Sequence, residues 1–169
     1  MTGILIHPGG VNDKRALKLE TKQGNHIPNE IQSEQLPEVI KDRIKKHSSA
    51  HSSAKLRSAS STYNCMGMIF ASRRSWIETD HLNLIFTDDD YTKLSSFIYA
   101  ELGDIVVYYN DENAVHVAII IEITLDASIG QRNFRVLSQW GLACEWLHDI
   151  DDVPQELGIP KEVWTDRRK

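Results

Sequence analysis

The stretch GDIVVYYNDENAVHVAIIIEIT, residues 103–124, decides the predicted fold. Its two flanks, Asp104–Tyr109 and Val115–Thr124, are rich in the β-branched and aromatic residues that favour strands. The polar run Asn110–Asn113 between them has the composition of a hairpin turn. The sequence therefore predicts two antiparallel strands that lie side by side in one sheet.

The segments on either side of this hairpin complete the predicted architecture. Phe134–Trp140 is predicted to be a third strand. Upstream, residues 64–75 are predicted to form a helix with Asn64 as its N-cap, and a second helix is predicted from about Asp88. Two helices followed by an antiparallel meander indicate an α+β fold, with N-terminal helices packed on an antiparallel sheet.

The first 60 residues are predicted to form an N-terminal extension. Ile4–Ile6 is expected to be a short strand, and Pro37–Lys46 a helix whose last turn is rich in lysine, which suits the helix dipole. The Ser-rich run 47–62 has the composition of a linker. We therefore expect a boundary near residue 60, between an extension over 1–60 and a domain over 61–169.

Charge is distributed unevenly along the 169 residues. The whole chain has a net charge of −5, which gives no support to a nucleic-acid-binding role. Residues 1–62 carry ten Lys and Arg against six Asp and Glu, whereas residues 63–169 carry nine against 18. The basic segment is a solvated surface, docks onto the acidic remainder of the chain, or is a contact surface for an acidic protein partner.

Other features of the sequence indicate the cellular compartment in which the protein is expected. Two cysteines do not make a disulfide framework, which favours a reducing environment. The N-terminus lacks the pattern of a signal peptide, and the longest apolar run, Val115–Ile121, is too short to span a membrane. We therefore expect a soluble protein without membrane contact, either cytoplasmic or exported by a leaderless route.

The sequence predicts neither a cofactor nor a metal. It contains no P-loop, dinucleotide fingerprint, CxxC or GxSxG motif. Two pairs of residues have a spacing that a metal site can use, Glu145 with His148 and His47 with His51. Neither pair has a third ligand at a convincing spacing for zinc.

Cys65 and His116 are the candidate catalytic residues. Cys65 lies at the predicted N-terminus of a helix, where the helix dipole lowers the pKa of a thiol and favours the nucleophilic thiolate. His116 lies on an apolar strand and shares a face with Ala118 and Ile120, and the small alanine leaves space for a partner. The alternative for both is an ordinary buried core residue.

A third polar group is needed to orient the imidazole, and the next strand offers two. Ser138 and Gln139 are adjacent, so strand alternation allows only one of them to face His116. The amide oxygen of Gln139 can accept a bond from the ring N–H, and the Ser138 hydroxyl can do so less rigidly. Trp140 either lines a substrate cleft or caps the core.

Several short motifs follow one another in a familiar order over residues 63–168. They are Asn64-Cys65 at the start of a helix, the strands Gly103–Tyr108 and His116–Ala118, then Ser138–Gly141, and finally His148. This order resembles the papain-like NlpC/CHAP superfamily of cysteine amidases and peptidases, and it looks closest to a poorly characterised bacterial and phage branch. Asn64 stands where the family usually has an acidic residue, and Gln139 stands where that branch has lysine.

The resemblance implies a cysteine hydrolase that cleaves an amide bond in a peptide, an isopeptide or a peptidoglycan crosslink. Cys65 would be the nucleophile and His116 the general base, with Gln139, or else Ser138, as the orienting residue. The residues expected to contact the substrate are Asn64, Ser138, Trp140 and His148. Two alternatives are a non-catalytic papain-like binding module, and a toxin or effector whose N-terminal segment binds an immunity or delivery partner.

Overall fold

The computed structural model describes residues 15–167, so the predicted strand Ile4–Ile6 lies outside the described residues. Within that range, one antiparallel sheet has seven strands in the order β1-β6-β5-β4-β3-β7-β2. The strands are β1 Lys55–Ser58, β2 Thr92–Lys93, β3 Ile105–Asn110, β4 Asn113–Asp126, β5 Gln131–Gln139, β6 Glu145–Asp149 and β7 Ile159–Thr165. The helices are α1 Pro37–Ala50, α2 Cys65–Phe70 and α3 Leu82–Asp88, and short 3-10 turns cover Thr79–His81, Phe97–Tyr99 and Gln155–Leu157.

The predicted hairpin is present at the centre of this sheet. β3 and β4 pair antiparallel, with Tyr108 opposite His116. The turn between them includes Asp111, whose φ of 53° is accommodated in a tight turn. The third predicted strand is also present and is longer than expected, because β5 begins at Gln131.

The predicted α+β class, with N-terminal helices packed on an antiparallel sheet, is wrong. The fold is mostly β, with 33% of residues in strands and 24% in helices. The helix predicted over residues 64–75 ends at Phe70, because Ser72 and Arg73 take φ values of 50° and 64° that a helix cannot contain. The longest helix, α1, has 14 residues. Among residues 15–167, no helix combines the length and the apolar character that crossing a membrane requires.

The second predicted helix fails for a different reason. Asp88 ends α3 and does not begin a helix, and the chain then forms the short strand β2 and a 3-10 turn. The apolar residues that recur at helical spacing serve two separate clusters. Tyr91 packs with the residues around α3, whereas Leu94 and Phe97 pack on the opposite side of the sheet. A single helix presents such residues on one face only.

Each face of the sheet is covered by its own apolar cluster, because successive strand residues point in opposite directions. The first cluster joins α2 and α3 to Val107 and Val117. The second contains Tyr108 and Ala118, which point the other way. We call these the α2 face and the Tyr108 face.

The segment expected to be an extension and linker carries two regular elements. α1 continues through Ala50, and its residues Ile40 and Ile44 pack on a third cluster that includes Trp140 and Trp146. β1 then forms an edge of the sheet and pairs with β6. The domain boundary near residue 60 stays a prediction.

Candidate functional site

Cys65 is the first residue of α2, as the sequence predicts. The Asn64 side chain caps this helix: its Oδ1 accepts a hydrogen bond from Gly67 N at 2.9 Å, and its Nδ2 donates to the Ile77 carbonyl at 2.6 Å. Gly67 is required here, because a Cβ atom would lie 1.6 Å from the Ser75 carbonyl oxygen. The Asn64 cap and the close packing of Gly67 against Ser75 therefore fix the backbone around Cys65.

The Cys65 thiol is enclosed by the protein. Its residue exposure is 5%, and it packs with Val107 and Val117 on the α2 face. Burial raises the pKa of the thiol to about 11, although the backbone N–H groups of Val117, Met66 and Cys65 itself act in the opposite direction. At neutral pH the group is a thiol, and a thiol is a poor nucleophile.

His116 points to the Tyr108 face. Its ring lies edge-on to the Tyr108 ring, with 5.2 Å between centroids, and the residue is 1% exposed. Burial, together with the nearby His148, lowers the pKa of the imidazole to about 3. Its Nε2 atom is buried and has no hydrogen-bond partner among residues 15–167. The ring is therefore neutral at physiological pH.

Cys65 and His116 are not brought together. They lie on opposite faces of the sheet, and no hydrogen bond joins them in the described part of the chain. A nucleophile and its base need hydrogen-bond reach, about 2.6–3.2 Å and somewhat longer in an unliganded enzyme. Strand alternation correctly gives the face that His116 shares with Ala118 and Ile120. The sequence does not indicate which face α2 covers.

Three other residues of the predicted site do form a connected group on the Tyr108 face. Ser138 Oγ lies 2.8 Å from His148 Nε2, and Trp140 Nε1 donates to Ser138 Oγ at 3.1 Å. His148 Nδ1 lies 2.8 Å from the carbonyl oxygen of Asp149 and must donate to it, since a carbonyl only accepts. The Ser138 hydroxyl therefore donates to His148 Nε2.

This group is a closed structural network. Ser138 and His148 have an exposure of 0%, and Trp140 has 3%. Burial lowers the pKa of His148 to about 4. The side chains of His47 and His51 on and after α1 pack edge-on against the Trp140 ring, at 5.3 Å and 5.0 Å. These contacts shield the network from solvent.

Gln139 lies on the α2 face, with Cys65 and away from His116. Its side-chain nitrogen donates to the carbonyl oxygens of Ser60 and Gly141, each at 2.9 Å. Its Oε1 atom is buried and has no hydrogen-bond partner among the described residues. Gln139 therefore does not orient the His116 ring.

A buried ion pair on the α2 face was not foreseen from the sequence. Glu145 is 1% exposed, and its Oε2 atom accepts hydrogen bonds from Arg73 Nε at 2.7 Å and from Tyr63 Oη at 2.9 Å. Arg73 also donates to Oε1 at 3.1 Å, so the pair is bidentate. The sequence suggests Glu145 and His148 as a pair with metal-site spacing, but β6 is a strand and directs them to opposite faces.

Within the described part of the chain, no metal centre collects these residues. Across residues 15–167, no group of three or more His, Cys, Asp and Glu side chains is arranged to hold a metal ion. A surface cavity of about 910 Å³ lies beside β5 and β6 and is lined by residues such as Phe134, Arg135 and Asp151. Cys65 and His116 do not line it.

Comparisons with known proteins give no relative from which a role can be transferred. No family model matches the chain. No curated protein matches it either, nor does any solved structure. The NlpC/CHAP resemblance stays a prediction, and the functional argument depends on the geometry of this chain.

Proposed function

We propose that this protein is a non-catalytic binding module that acts through its surface. One observation carries the proposal: the predicted nucleophile Cys65 and the predicted base His116 are buried on opposite faces of the sheet. A thiol hydrolase needs the two side chains in contact with each other and with a substrate. The fold instead uses both as core residues.

The electrostatics of the two groups support the same conclusion. With a pKa of about 11, Cys65 is a thiolate in about one molecule in ten thousand at pH 7. With a pKa of about 3, His116 rarely holds a proton that it can deliver to a leaving group. An active cysteine hydrolase has the opposite arrangement, with a lowered thiol pKa and an imidazole that titrates near neutral pH.

The described surface has features of a binding protein. Exposed apolar side chains include Ile98, Tyr99, Leu102, Leu125 and Ile159, each more than 60% exposed. Around α1 and β1 there is in addition a strongly basic region in a chain of net charge −5. Segregated charge of this kind attracts a partner of the opposite sign.

Alkylation of the two cysteines tests the proposal. Iodoacetamide is added to the folded protein at pH 7, and each site is quantified by peptide mapping. We expect Cys65 to react no faster than Cys144, which is also buried and whose pKa burial likewise raises to about 11. In the variant Cys144→Ala, only Cys65 can be alkylated. Unfolded protein gives the alkylation rate of a fully exposed cysteine for comparison. Rapid alkylation of Cys65 in the folded protein contradicts the proposal.

A second candidate function is a thiol hydrolase that is closed in this structure. It is favoured by the position of Cys65 as the first residue of α2, where the backbone N–H groups of Cys65 and Met66 act to lower the pKa of the thiol. The test is a screen of peptides and peptidoglycan fragments with wild type and Cys65→Ala. Hydrolysis that depends on Cys65 supports this candidate, and equal background for both proteins contradicts it.

A further inference from the structure

β1 is an edge strand of the sheet. It pairs with β6 on one side, and no described strand pairs with its other side. Its residues Lys55, Leu56 and Arg57 are exposed. An edge strand offers a row of backbone N–H and C=O groups to which another extended chain can add.

The surface around β1 is basic and uncompensated. Residues 41–57 contain six Lys and Arg against a single Asp, a net charge of +5 in a chain of net charge −5. Among residues 15–167, none of the following cations has an ion pair: Lys41, Lys45, Lys46, Lys55 and Arg57. By contrast, Arg73, Arg135 and Arg167 are all paired.

Two acidic groups near β1 bind other residues. Asp152 binds His51 and the Ser53 hydroxyl, at 2.8 Å and 2.7 Å. Glu145, which lies opposite Ser58 in the register, is bound by Arg73 and buried. Neither carboxylate therefore pairs with Lys55 or Arg57.

The positive charge of β1 determines which kind of strand can pair with its free edge. Lysine on an edge strand opposes pairing with an uncharged or basic strand, including β1 of a second copy of this chain. The same lysine favours an acidic strand, because opposite charges on facing positions stabilise a pair of strands. Lys55 lies opposite Leu147 in the register, and the register shift between Leu56 and Ser58 makes Arg57 the extra residue of a bulge, with an exposed side chain.

We propose that β1 binds an extended acidic segment of a partner protein, which adds to the sheet as an eighth strand. Acidic residues of that segment pair with Lys55 and Arg57, and the lysines of α1 attract it during approach. This inference rests on the proposed binding function and names the surface and the class of partner.

The experiment uses the full chain and a fluorescently labelled, end-capped peptide of alternating Glu and Val residues. We expect its fluorescence anisotropy to rise on titration with protein, and the affinity to fall as salt is added. Lys55→Glu/Arg57→Glu is expected to weaken binding by about tenfold or more, the factor that two cross-strand charge pairs supply. The matched control Lys18→Glu/Lys161→Glu, with the same charge change at exposed sites elsewhere, is expected to bind like wild type.

A second peptide separates strand addition from simple charge attraction. It carries the same number of Glu residues, with proline in place of valine, so it cannot donate ladder hydrogen bonds. We expect it to bind at least about tenfold more weakly than the Glu-Val peptide, and the Glu-Val peptide alone to slow amide exchange at residues 55–58.

Several results overturn the inference. One is equal affinity of the protein for both peptides, and another is an unchanged peptide affinity in the Lys55→Glu/Arg57→Glu variant. The others are binding of single-stranded DNA or anionic vesicles more tightly than the Glu-Val peptide, and self-association of the protein through β1. Each leaves the non-catalytic assignment intact if Cys65 stays unreactive. Rapid alkylation of Cys65 instead contradicts the proposed function and says nothing against the β1 surface.

Discussion

Ser138 donates a hydrogen bond to His148 across neighbouring strands β5 and β6, with 2.8 Å between Oγ and Nε2. Both residues were expected at a substrate site, and both have an exposure of 0%. The Trp140 ring N–H completes the network, and α1 covers it. The polar residues that follow the central hairpin therefore stabilise the interior of this fold, which makes their contribution measurable as folding free energy.

Ser138→Ala is expected to lower the free energy of unfolding by about 1–3 kcal/mol, because it removes both hydrogen bonds of the buried hydroxyl and leaves Trp140 Nε1 and His148 Nε2 only their long mutual contact of 3.4 Å. Urea denaturation followed by fluorescence measures the change. The control Ser95→Ala alters an exposed serine and should stay within about 0.5 kcal/mol of wild type. Equal stability of the two variants contradicts the network's structural role.

Stability is expected to fall as the pH drops from about 6.5 to 5. Both His116 and His148 have folded-state pKa values below the ordinary value, about 3 and about 4, so the folded protein keeps them neutral while the unfolded chain takes up protons. Each histidine then contributes a slope of up to about 1.4 kcal/mol per pH unit. Denaturation curves at several pH values measure the slope.

His116→Leu supplies the control for this pH dependence. Its slope between pH 6.5 and 5 should be smaller than that of wild type, because one of the three histidines whose pKa is lowered in the folded state, His47, His116 and His148, is gone. A His116→Leu slope identical to that of wild type would show that His116 titrates normally in the folded state.

Arg73→Ala is expected to destabilise the fold by about 2 kcal/mol, because it leaves the Glu145 carboxylate buried without its charged partner. This loss of folding free energy is smaller than the loss expected when a fully buried ion pair is broken, since the Arg73 side chain is 46% exposed. Arg73→Ala/Glu145→Gln should recover part of the loss, because it removes the uncompensated charge. The prediction fails if Arg73→Ala costs no more than Lys18→Ala, which disrupts an exposed pair.

Gly67→Ala is expected to prevent folding or to cost more than about 3 kcal/mol. The added methyl group would overlap the Ser75 carbonyl oxygen, and a backbone atom cannot move aside as a flexible side chain does. Circular dichroism and thermal unfolding measure the effect. A stable Gly67→Ala protein would mean that α2 does not pack against residue 75 as described.

Local sequence predicts the structure correctly where the apolar residues recur with a single regular period. The β-branched run in β4 and the polar turn before it gave the hairpin, and alternation gave the face of His116. The ends of the helices depend on backbone conformations at Ser72 and Asp90, where non-glycine residues have positive φ. Composition does not encode such positions, because the surrounding packing imposes them.

Long-range packing explains the remaining differences. β1 has the polar composition of a linker and becomes a strand only because β6 offers it an edge. The placement of α2 over Val117 separates Cys65 from His116, and no local pattern in either segment specifies that choice. The short motifs that suggest a cysteine hydrolase are compatible with Cys65 and His116 on the same face of the sheet and with the two residues on opposite faces.

Titration of the Cys65 thiol tests the central claim most directly. In Cys144→Ala, thiolate absorbance in the ultraviolet is followed from pH 5 to pH 10 and compared with Cys144→Ala/His116→Ala. We expect no thiolate at neutral pH in either protein, with ionisation beginning only near the alkaline end. A thiolate that is present at pH 7 and disappears when His116 is replaced would contradict it, because that result requires Cys65 and His116 to form a catalytic pair.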